Sequence, residues 1–201
     1  MAITTRAAKM AETRAKLIAA GRKAFAEKGY SGASMDDLTA DVGLTRGALY
    51  HNFGDKKGLM AAVVDEIDTV MATCAHEAGQ KAGGGWKGLL AEGAAYIEMA
   101  LQPEVQRIVL LDGPAVLGDP SQWPSQNRCL QATIATLQEL AAEKAIKPVD
   151  IEAIARLLNG VALNAALWVA ASETPEATLP KVVAAFECLA SGVLITPESR
   201  V

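Results

Sequence analysis

All eight prolines of this 201-residue chain lie at or beyond Pro103. Proline breaks a helix interior, because it lacks the backbone N–H and its ring clashes with the preceding turn. The first half of the chain can therefore continue as helices that only glycine interrupts, and the later prolines fall mainly between apolar segments, where helices end. With 39 alanines and only 4% aromatic residues, the composition favours closely packed helices over a sandwich or barrel.

We predict an all-α fold with an N-terminal helix-turn-helix unit and a C-terminal helical bundle, since strand patterning is absent. We expect two domains, 1–54 and 55–201. The predicted helices, numbered 1 to 9, are 9–28, 35–42, 46–52, 55–82, 85–101, 104–117, 121–146, 149–172 and 175–195.

Several classes of protein are excluded. Cys74, Cys129 and Cys188 are far apart and form no CxxC motif, which argues against a disulfide framework or a zinc site and favours a reducing cytoplasm. The N-terminus lacks the apolar core of a signal peptide, and the most apolar stretch, 157–171, is shorter than the ~20 residues of a membrane span. No common catalytic motif is present. We expect a cytoplasmic, non-enzymatic protein with no metal, no cofactor and no membrane association.

The charge is distributed unevenly. Residues 1–58 contain 10 Lys/Arg and 6 Asp/Glu, whereas residues 59–201 contain 9 and 17, within a net charge of -4 for the whole chain. A basic head on an acidic body is typical of a small nucleic-acid-binding domain joined to another domain. Local scatter of charge is the alternative.

A helix-turn-helix pattern follows Ser34. Apolar residues repeat on one face of a short helix, and Gly43 stands just beyond it, at the position of a left-handed helix end. Thr45 then caps a second short helix, whose inward face carries Leu49 and Phe53. A purely structural helical hairpin is the alternative.

The outward face of the second short helix suits the DNA major groove. Gly47 and Ala48 are small enough to let the backbone approach the groove floor, while Arg46 and His51 can hydrogen-bond base edges or phosphates. Just beyond this helix, Lys56 stands in the first turn of the next one. A cation there opposes the helix dipole, unless an external anion such as a phosphate binds both the lysine and the N–H groups.

Three segments, FAEKGY (25–30), SMDDL (34–38) and GLTRGALYHNFGDKKGL (43–59), resemble the DNA-binding domain of the TetR family of bacterial repressors. The resemblance covers about residues 12–60, and its Leu-Tyr-x-x-Phe-x-x-Lys-x-x-Leu element is highly specific. It implies a homodimeric transcriptional regulator with DNA-binding helices 1–3, a linking helix 4, and a body that binds ligand and dimerises.

The family's DNA contacts carry over by position to the start of helix 2, to helix 3 and to the start of helix 4. They fall on Ser34, Met35, Thr45, Arg46, Gly47, Ala48, Tyr50, His51, Asn52 and Lys56. We expect Tyr50 and Lys56 to position the protein on the DNA backbone, and Arg46 and His51 to read bases. A two-fold dimer implies a pseudo-palindromic double-stranded DNA operator. Thr39 and Asp41 replace family alanines and are expected to face outward.

The body of the chain gives weaker signals. Helix 8 carries an apolar stripe (Ile151, Ile154, Leu158, Val161, Ala165), and so does helix 9 (Val182, Phe186, Leu189, Val193). Both helices are more apolar than a single packed face requires, so we predict that they form the homodimer interface, with core packing as the alternative.

A cavity for a small, mostly apolar effector is expected to involve Trp86, Tyr96, Met99, Trp123, Asn164 and Trp168. Core filling is the alternative role for each of them. Helix 6 is expected to be interrupted at 112–114, and movement there is hypothesised to transmit ligand binding to helix 4.

The sequence therefore predicts a sequence-specific DNA-binding regulator, a repressor released from its operator by that unknown effector. The alternative from another class is a helical ligand-binding or cysteine-based redox-sensing protein with weak or no DNA binding.

Overall fold

The computed structural model describes residues 2–40 and 42–195. Its α-helices are α1 (Ala2–Gly32), α2 (Met35–Ala40), α3 (Arg46–Phe53), α4 (Lys56–Lys81), α5 (Gly85–Glu98), α6 (Gly113–Leu117), α7 (Pro124–Ala142), α8 (Ile151–Ala171) and α9 (Pro175–Ser191). A π-helical segment, Val105–Asp112, leads directly into α6, and short 3₁₀ turns follow α5 and precede α7. The described residues contain no strand, which confirms the all-α prediction.

The helix borders follow local chemistry. α1 extends beyond the predicted 9–28 at both ends, with a non-helical residue at Gly29. α7 begins later than predicted, because Asp119 accepts a hydrogen bond from the backbone N–H of Ser121 and closes a 3₁₀ turn, Pro120–Gln122, ahead of it. Pro124 then occupies the first turn of α7, where a missing N–H costs least.

The expected interruption at 112–114 is not present. Gly113 has φ -54° and ψ -59°, which are helical values, and its N–H donates to the carbonyl of Ile108, five residues back. The hydrogen-bonding pattern therefore changes from π to α at this point while the helix continues. Pro114 is tolerated because it lies in the first turn of α6, where its ring does not clash with a preceding α-helical turn.

The chain forms two compact units. Of the described residues, the first contains those up to Ile67 together with Pro103–Gly118, and the second contains Asp68–Gln102 and those from Asp119 to Ile195. Buried leucines and Phe25 form the core of the first unit, and a cluster of α5, α7, α8 and α9 residues forms that of the second. The division after residue 54 stays a sequence-based prediction.

α8 and α9 each have a buried side and an exposed apolar side. In the predicted stripes, the residues buried inside the second unit are Leu158, Ala165, Val182, Phe186 and Val193. Leu189 is 66% exposed instead, and α8 exposes Leu157 (64%) and Trp168 (60%). The apolar stripes read from the sequence thus belong mostly to the core, and a different face of α8 reaches the surface.

α8 is also long and apolar enough to cross a membrane, judged by length and composition, with a mean hydropathy of 1.5. The sequence analysis judged only the most apolar stretch, 157–171, whereas the whole helix, predicted as 149–172, spans Ile151–Ala171. A core helix of a soluble protein has the same properties, and α8 packs against α5, α7 and α9 within the second unit. The buried part of its apolar surface therefore serves packing inside this chain, while Leu157 and Trp168 remain exposed.

Candidate nucleic-acid interface and cavity

α2 and α3 are joined by a tight turn in the first unit. Gly43 has φ +65°, and its N–H donates to the carbonyl of Ala40 at 3.1 Å. Thr45 is extended, and its Oγ1 accepts a hydrogen bond from the N–H of Ala48 at 3.2 Å. Leu49 is fully buried. The structure thus has the left-handed turn residue, the N-cap and the inward-facing leucine that the sequence predicts.

Thr39 differs from its expected orientation. Its side chain is buried, with the residue only 4% exposed, and its Oγ1 lies 3.1 Å from the carbonyl oxygens of both Met35 and Asp36. The outward orientation was wrong, because a threonine hydroxyl can bond to the preceding turn of its own helix and so be buried where alanine would fit. Asp41 lies outside the described residues.

The residues expected to contact DNA all lie outside the core. Exposed are Ser34, Thr45, Arg46, Gly47, Tyr50 and His51, and half-buried are Met35, Ala48, Asn52 and Lys56. Tyr50 is notable among them, because an aromatic ring that is 52% exposed covers no core. Together they present a surface on α3 and its flanks that lies outside the buried core.

Two of these side chains have local partners. Arg46 Nε lies 2.7 Å from Asp36 Oδ1, which joins α3 to α2. Both side chains are exposed, so the pair adds little stability and Arg46 can exchange this carboxylate for another anion. Asn52 Nδ2 donates to the carbonyl of Ala48 at 2.8 Å, which orients the amide along α3.

Lys56 is held at the start of α4. Its Nζ lies 4.5 Å from the centroid of the Tyr30 ring, a cation–π contact, and burial lowers the pKa of the Lys56 ammonium. Asp55 Oδ1 accepts from the N–H of Gly58 at 2.7 Å, which caps the helix. Position 58 requires glycine, because a Cβ there would collide with the carbonyl of Phe53. The structure thus holds a lysine of the first turn of α4 against Tyr30, while Asp55 already binds one N–H group of that turn.

A charged pair that the sequence analysis missed ties α1 to the segment at 103–118. Arg22 Nε and Nη2 each donate to a different carboxylate oxygen of Glu104 at 2.6 Å. Hydrogen bonding to Glu104 raises the pKa of Arg22 above its usual value. The residues are 82 positions apart, so no local pattern could have revealed the pair.

A second link in the same unit depends on glycine. Gly29 has φ +69° and ψ +170°, which directs the following N–H, that of Tyr30, to Asp112 Oδ2 at 2.8 Å. Arg107 Nε donates to the same oxygen at 3.3 Å. We call these contacts, with the Arg22–Glu104 pair, the α1 clasp. They bind both ends of the π-helical segment to α1.

The second unit contains a cavity of about 400 Å³ between α4, α5, α7, α8 and α9. Most of its wall is apolar and includes Leu89, Leu158 and Phe186. The Phe186 ring packs directly on Gly93 of α5, where a Cβ would collide with it. The volume and the lining suit a small, mostly apolar molecule.

One wall of the cavity is polar and buried. Asp68 is 1% exposed, and its carboxylate accepts from Gln126 Nε2 at 3.1 and 3.3 Å. The same amide lies 3.4 Å from the hydroxyl of Tyr96, whose pKa is raised mainly by burial and also by Asp68. The sequence analysis missed Asp68 and Gln126. An acidic residue between the apolar positions Ile67 and Met71 of α4 was the available signal.

Of the residues expected at the cavity, Tyr96 lines it. Trp86 packs against the core of the second unit, Met99 and Trp123 are buried elsewhere in that unit, and Asn164 and Trp168 are exposed on α8. The sequence located large side chains, but not the side of each helix that faces the empty volume.

The cysteines do not support redox sensing at the cavity. Cys129 lines the cavity, and burial is the main reason that its pKa is raised to about 11, which keeps the thiol protonated at neutral pH. Cys74 and Cys188 are exposed. In residues 2–40 and 42–195, no group of three or more His, Cys, Asp or Glu could hold a metal ion.

Comparison with known proteins agrees with this architecture. Residues 17–63 match the family described as bacterial regulatory proteins, tetR family, and residues 86–193 match the tetracyclin repressor-like C-terminal domain. A crystal structure of a TetR-family transcriptional regulator from Pectobacterium atrosepticum is similar, with a TM-score of 0.85 and 47% identity over 94% of this chain and 98% of that one.

Two curated relatives are HTH-type transcriptional repressors named AcnR. The protein of Corynebacterium jeikeium is 30% identical over 75% of this chain and 77% of its own length. That of Corynebacterium glutamicum is 32% identical over 52% of this chain, and the match spans about half of that relative, 54%. The helix-turn-helix geometry, the helical second unit and these matches together show that the chain belongs to the TetR family of DNA-binding transcriptional regulators.

Proposed function

We propose that this protein is a cytoplasmic homodimeric repressor that binds a pseudo-palindromic duplex operator. The proposal assigns DNA binding to residues 1–54 together with Lys56, and effector binding and dimerisation to the remainder of 55–201. The observation that carries it is Lys56, held over the Tyr30 ring at the start of α4, directly after the exposed face of α3. A fixed cation and an exposed helix face provide backbone positioning and base reading, respectively.

The exposed apolar side of α8 and α9 supports the homodimer. Leu157, Trp168 and Leu189 are each at least 60% exposed, and Leu157 and Trp168 share one face of α8, since eleven residues are about three helical turns. Exposed large apolar side chains of this kind are typical of an interface. A two-fold pairing of these helices would bury them in a four-helix arrangement. It would also present two copies of α3 to the two halves of a palindrome.

The cavity supports a small effector that is mostly apolar and carries a hydrogen-bonding group. Its apolar wall excludes water from the body of a ligand, while Asp68, Gln126 and Tyr96 offer acceptors and donors at one side. α4 continues from Lys56 to Lys81 and contributes Asp68 and His76 to the cavity wall. An effector that displaces α4 would therefore act on the helix that also bears Lys56.

DNA binding is tested by gel shift with the DNA upstream of the protein's own coding sequence. We expect Lys56→Ala combined with Tyr50→Ala to abolish the shift, and the wild-type affinity to fall steeply with salt, because phosphate contacts release counterions. Lys87→Ala, an exposed lysine of α5, is the matched control and should bind as the wild type does. Binding that is insensitive to the double substitution and to salt would refute the proposal.

Effector binding is tested by a thermal-shift screen of small molecules, since a ligand that binds the folded state raises the melting temperature. A molecule that raises the melting temperature should also release the protein from its DNA in the gel shift. Leu158→Trp, which places a larger side chain at the cavity wall, should remove the thermal shift while DNA binding persists.

A further inference from the structure

α1 extends well beyond the part that packs. Among residues 6–16, Thr13 is half-buried and the others are exposed, and the first buried position is Leu17. The match to the family's DNA-binding domain likewise begins at residue 17. We call residues 6–16 the α1 extension. It spans about 16 Å of helix that takes no part in the core.

The α1 extension carries its positive charge on one side. At about 100° per residue, its four cations, Arg6, Lys9, Arg14 and Lys16, fall within an arc of about 160°. The remaining side carries four alanines and Glu12, the only acidic residue between positions 6 and 16. Lys16 Nζ lies 2.7 Å from Glu12 Oε1, so this carboxylate is paired within the helix. One sign of charge on one side of an otherwise alanine-rich helix is suited to an extended anion.

The cationic side is continuous with the helix-turn-helix unit. Arg14 Cζ lies 4.6 Å from the centroid of the Phe53 ring, and Phe53 is the last residue of α3. Leu17, which lies within the cationic arc, is fully buried in the core of the same unit. The charged side of the α1 extension therefore continues the side of α1 that packs in the helix-turn-helix unit and meets the end of α3.

We propose that the cationic side of the α1 extension binds phosphates of duplex DNA beside the segment read by α3, as a contact surface additional to α2, α3 and Lys56. This inference rests on DNA binding by the helix-turn-helix unit. The distance from Arg14 to Arg6 along the helix is about 12 Å, enough to face three or four phosphates of one strand, which are spaced about 3.4 Å apart along the duplex axis. Phosphates are shared by all sequences, so the surface adds affinity and not base specificity.

The test compares full-length wild type with the double variant Arg6→Gln, Lys9→Gln on a duplex enriched from a random-sequence pool by the wild-type protein. Glutamine keeps the helix propensity and removes the charges. Losing two phosphate contacts should lower the salt slope of log affinity by about 2. The ratio of wild-type to variant affinity should accordingly fall about tenfold between ~50 and ~200 mM salt.

Lys81→Gln, Lys87→Gln is the matched control, since it removes two exposed lysines of the second unit. It should leave the salt slope as in the wild type. An Arg6, Lys9 variant with the wild-type slope would overturn the inference, while loss of binding in the Lys56, Tyr50 variant would still uphold the proposed function.

Two further measurements exclude other occupants. If the Arg6, Lys9 variant lost only binding to phosphatidylserine vesicles, the surface would belong to a membrane, and if it lost only dimerisation, to a second copy of the chain. Either result would overturn the inference. A wild-type protein that enriched no duplex would refute both the inference and the proposed function.

Discussion

Gly29 shows how much one residue can determine in the first unit. Its φ of +69° and ψ of +170° lie in a region that is essentially restricted to glycine. This conformation ends the regular winding of α1 and directs the N–H of Tyr30 to Asp112. Tyr30 in turn supports Lys56 by its ring. A single backbone conformation therefore positions the Tyr30–Asp112 contact of the α1 clasp and a lysine proposed to bind DNA.

Gly29→Ala is expected to destabilise the protein by about 1–3 kcal/mol, the cost of placing a side chain in this conformation. The added methyl group would also displace the Arg107 guanidinium. Urea unfolding measures the loss. Gly32→Ala is the control, because no positive φ is found there and its Cβ would make an ordinary 3.4 Å contact with Lys28. Equal effects of the two substitutions would contradict the explanation.

The three cysteines are expected to differ in the reactivity of their thiol groups. Since burial raises the pKa of Cys129 to about 11, its thiolate is scarce at pH 8 and becomes common only as the pH approaches that value. Iodoacetamide at pH 8 should therefore modify the exposed Cys74 well before Cys129, as peptide mass spectrometry would show. Faster labelling of Cys129 than of Cys74 would support the alternative of a cysteine-based redox sensor.

At the scale of elements, the α1 clasp makes the π-helical segment part of the first unit. A double-mutant cycle on Arg22→Ala and Glu104→Ala should give a coupling free energy of about 1–2 kcal/mol, because both partners are two-thirds buried and share two short hydrogen bonds. The exposed Glu152–Arg156 pair within α8 is the control and should give about 0.3–0.5 kcal/mol. A clasp coupling no larger than the control would show that the pair is dispensable.

Local elements were predictable from the sequence, whereas their partners were not. The turn at Gly43, the cap at Thr45 and the start of α4 depend on neighbouring residues, so the sequence predicts them. The π winding before α6 and the orientation of Thr39 depend on tertiary packing or on competition between hydrogen bonds, which periodicity does not record. The cavity wall likewise needs the relative rotation of several helices, and for that reason Tyr96 was found and Asp68 was missed.

At the scale of the whole molecule, the exposed apolar side of α8 predicts the oligomeric state. Leu157→Glu with Trp168→Glu should convert the dimer to a monomer, because it places two charges in a surface that would otherwise be buried and dry. Light scattering coupled to gel filtration gives the mass. Val70→Glu, which charges an exposed valine of α4, should leave the dimer intact. A double variant that keeps twice the chain mass would place the interface elsewhere.

The contact between Gly93 and Phe186 has a consequence for selectivity. The Phe186 ring can lie against α5 because residue 93 is glycine and has no Cβ atom. The absence of this atom therefore determines how far the ring extends at the cavity wall. In a related chain with alanine there, the ring would have to move, and the length of the molecules accepted would change with it. One methylene in an apolar site discriminates ligands by about 1–3 kcal/mol. For the effector that we propose, position 93 would therefore determine which of several homologous molecules fits the cavity.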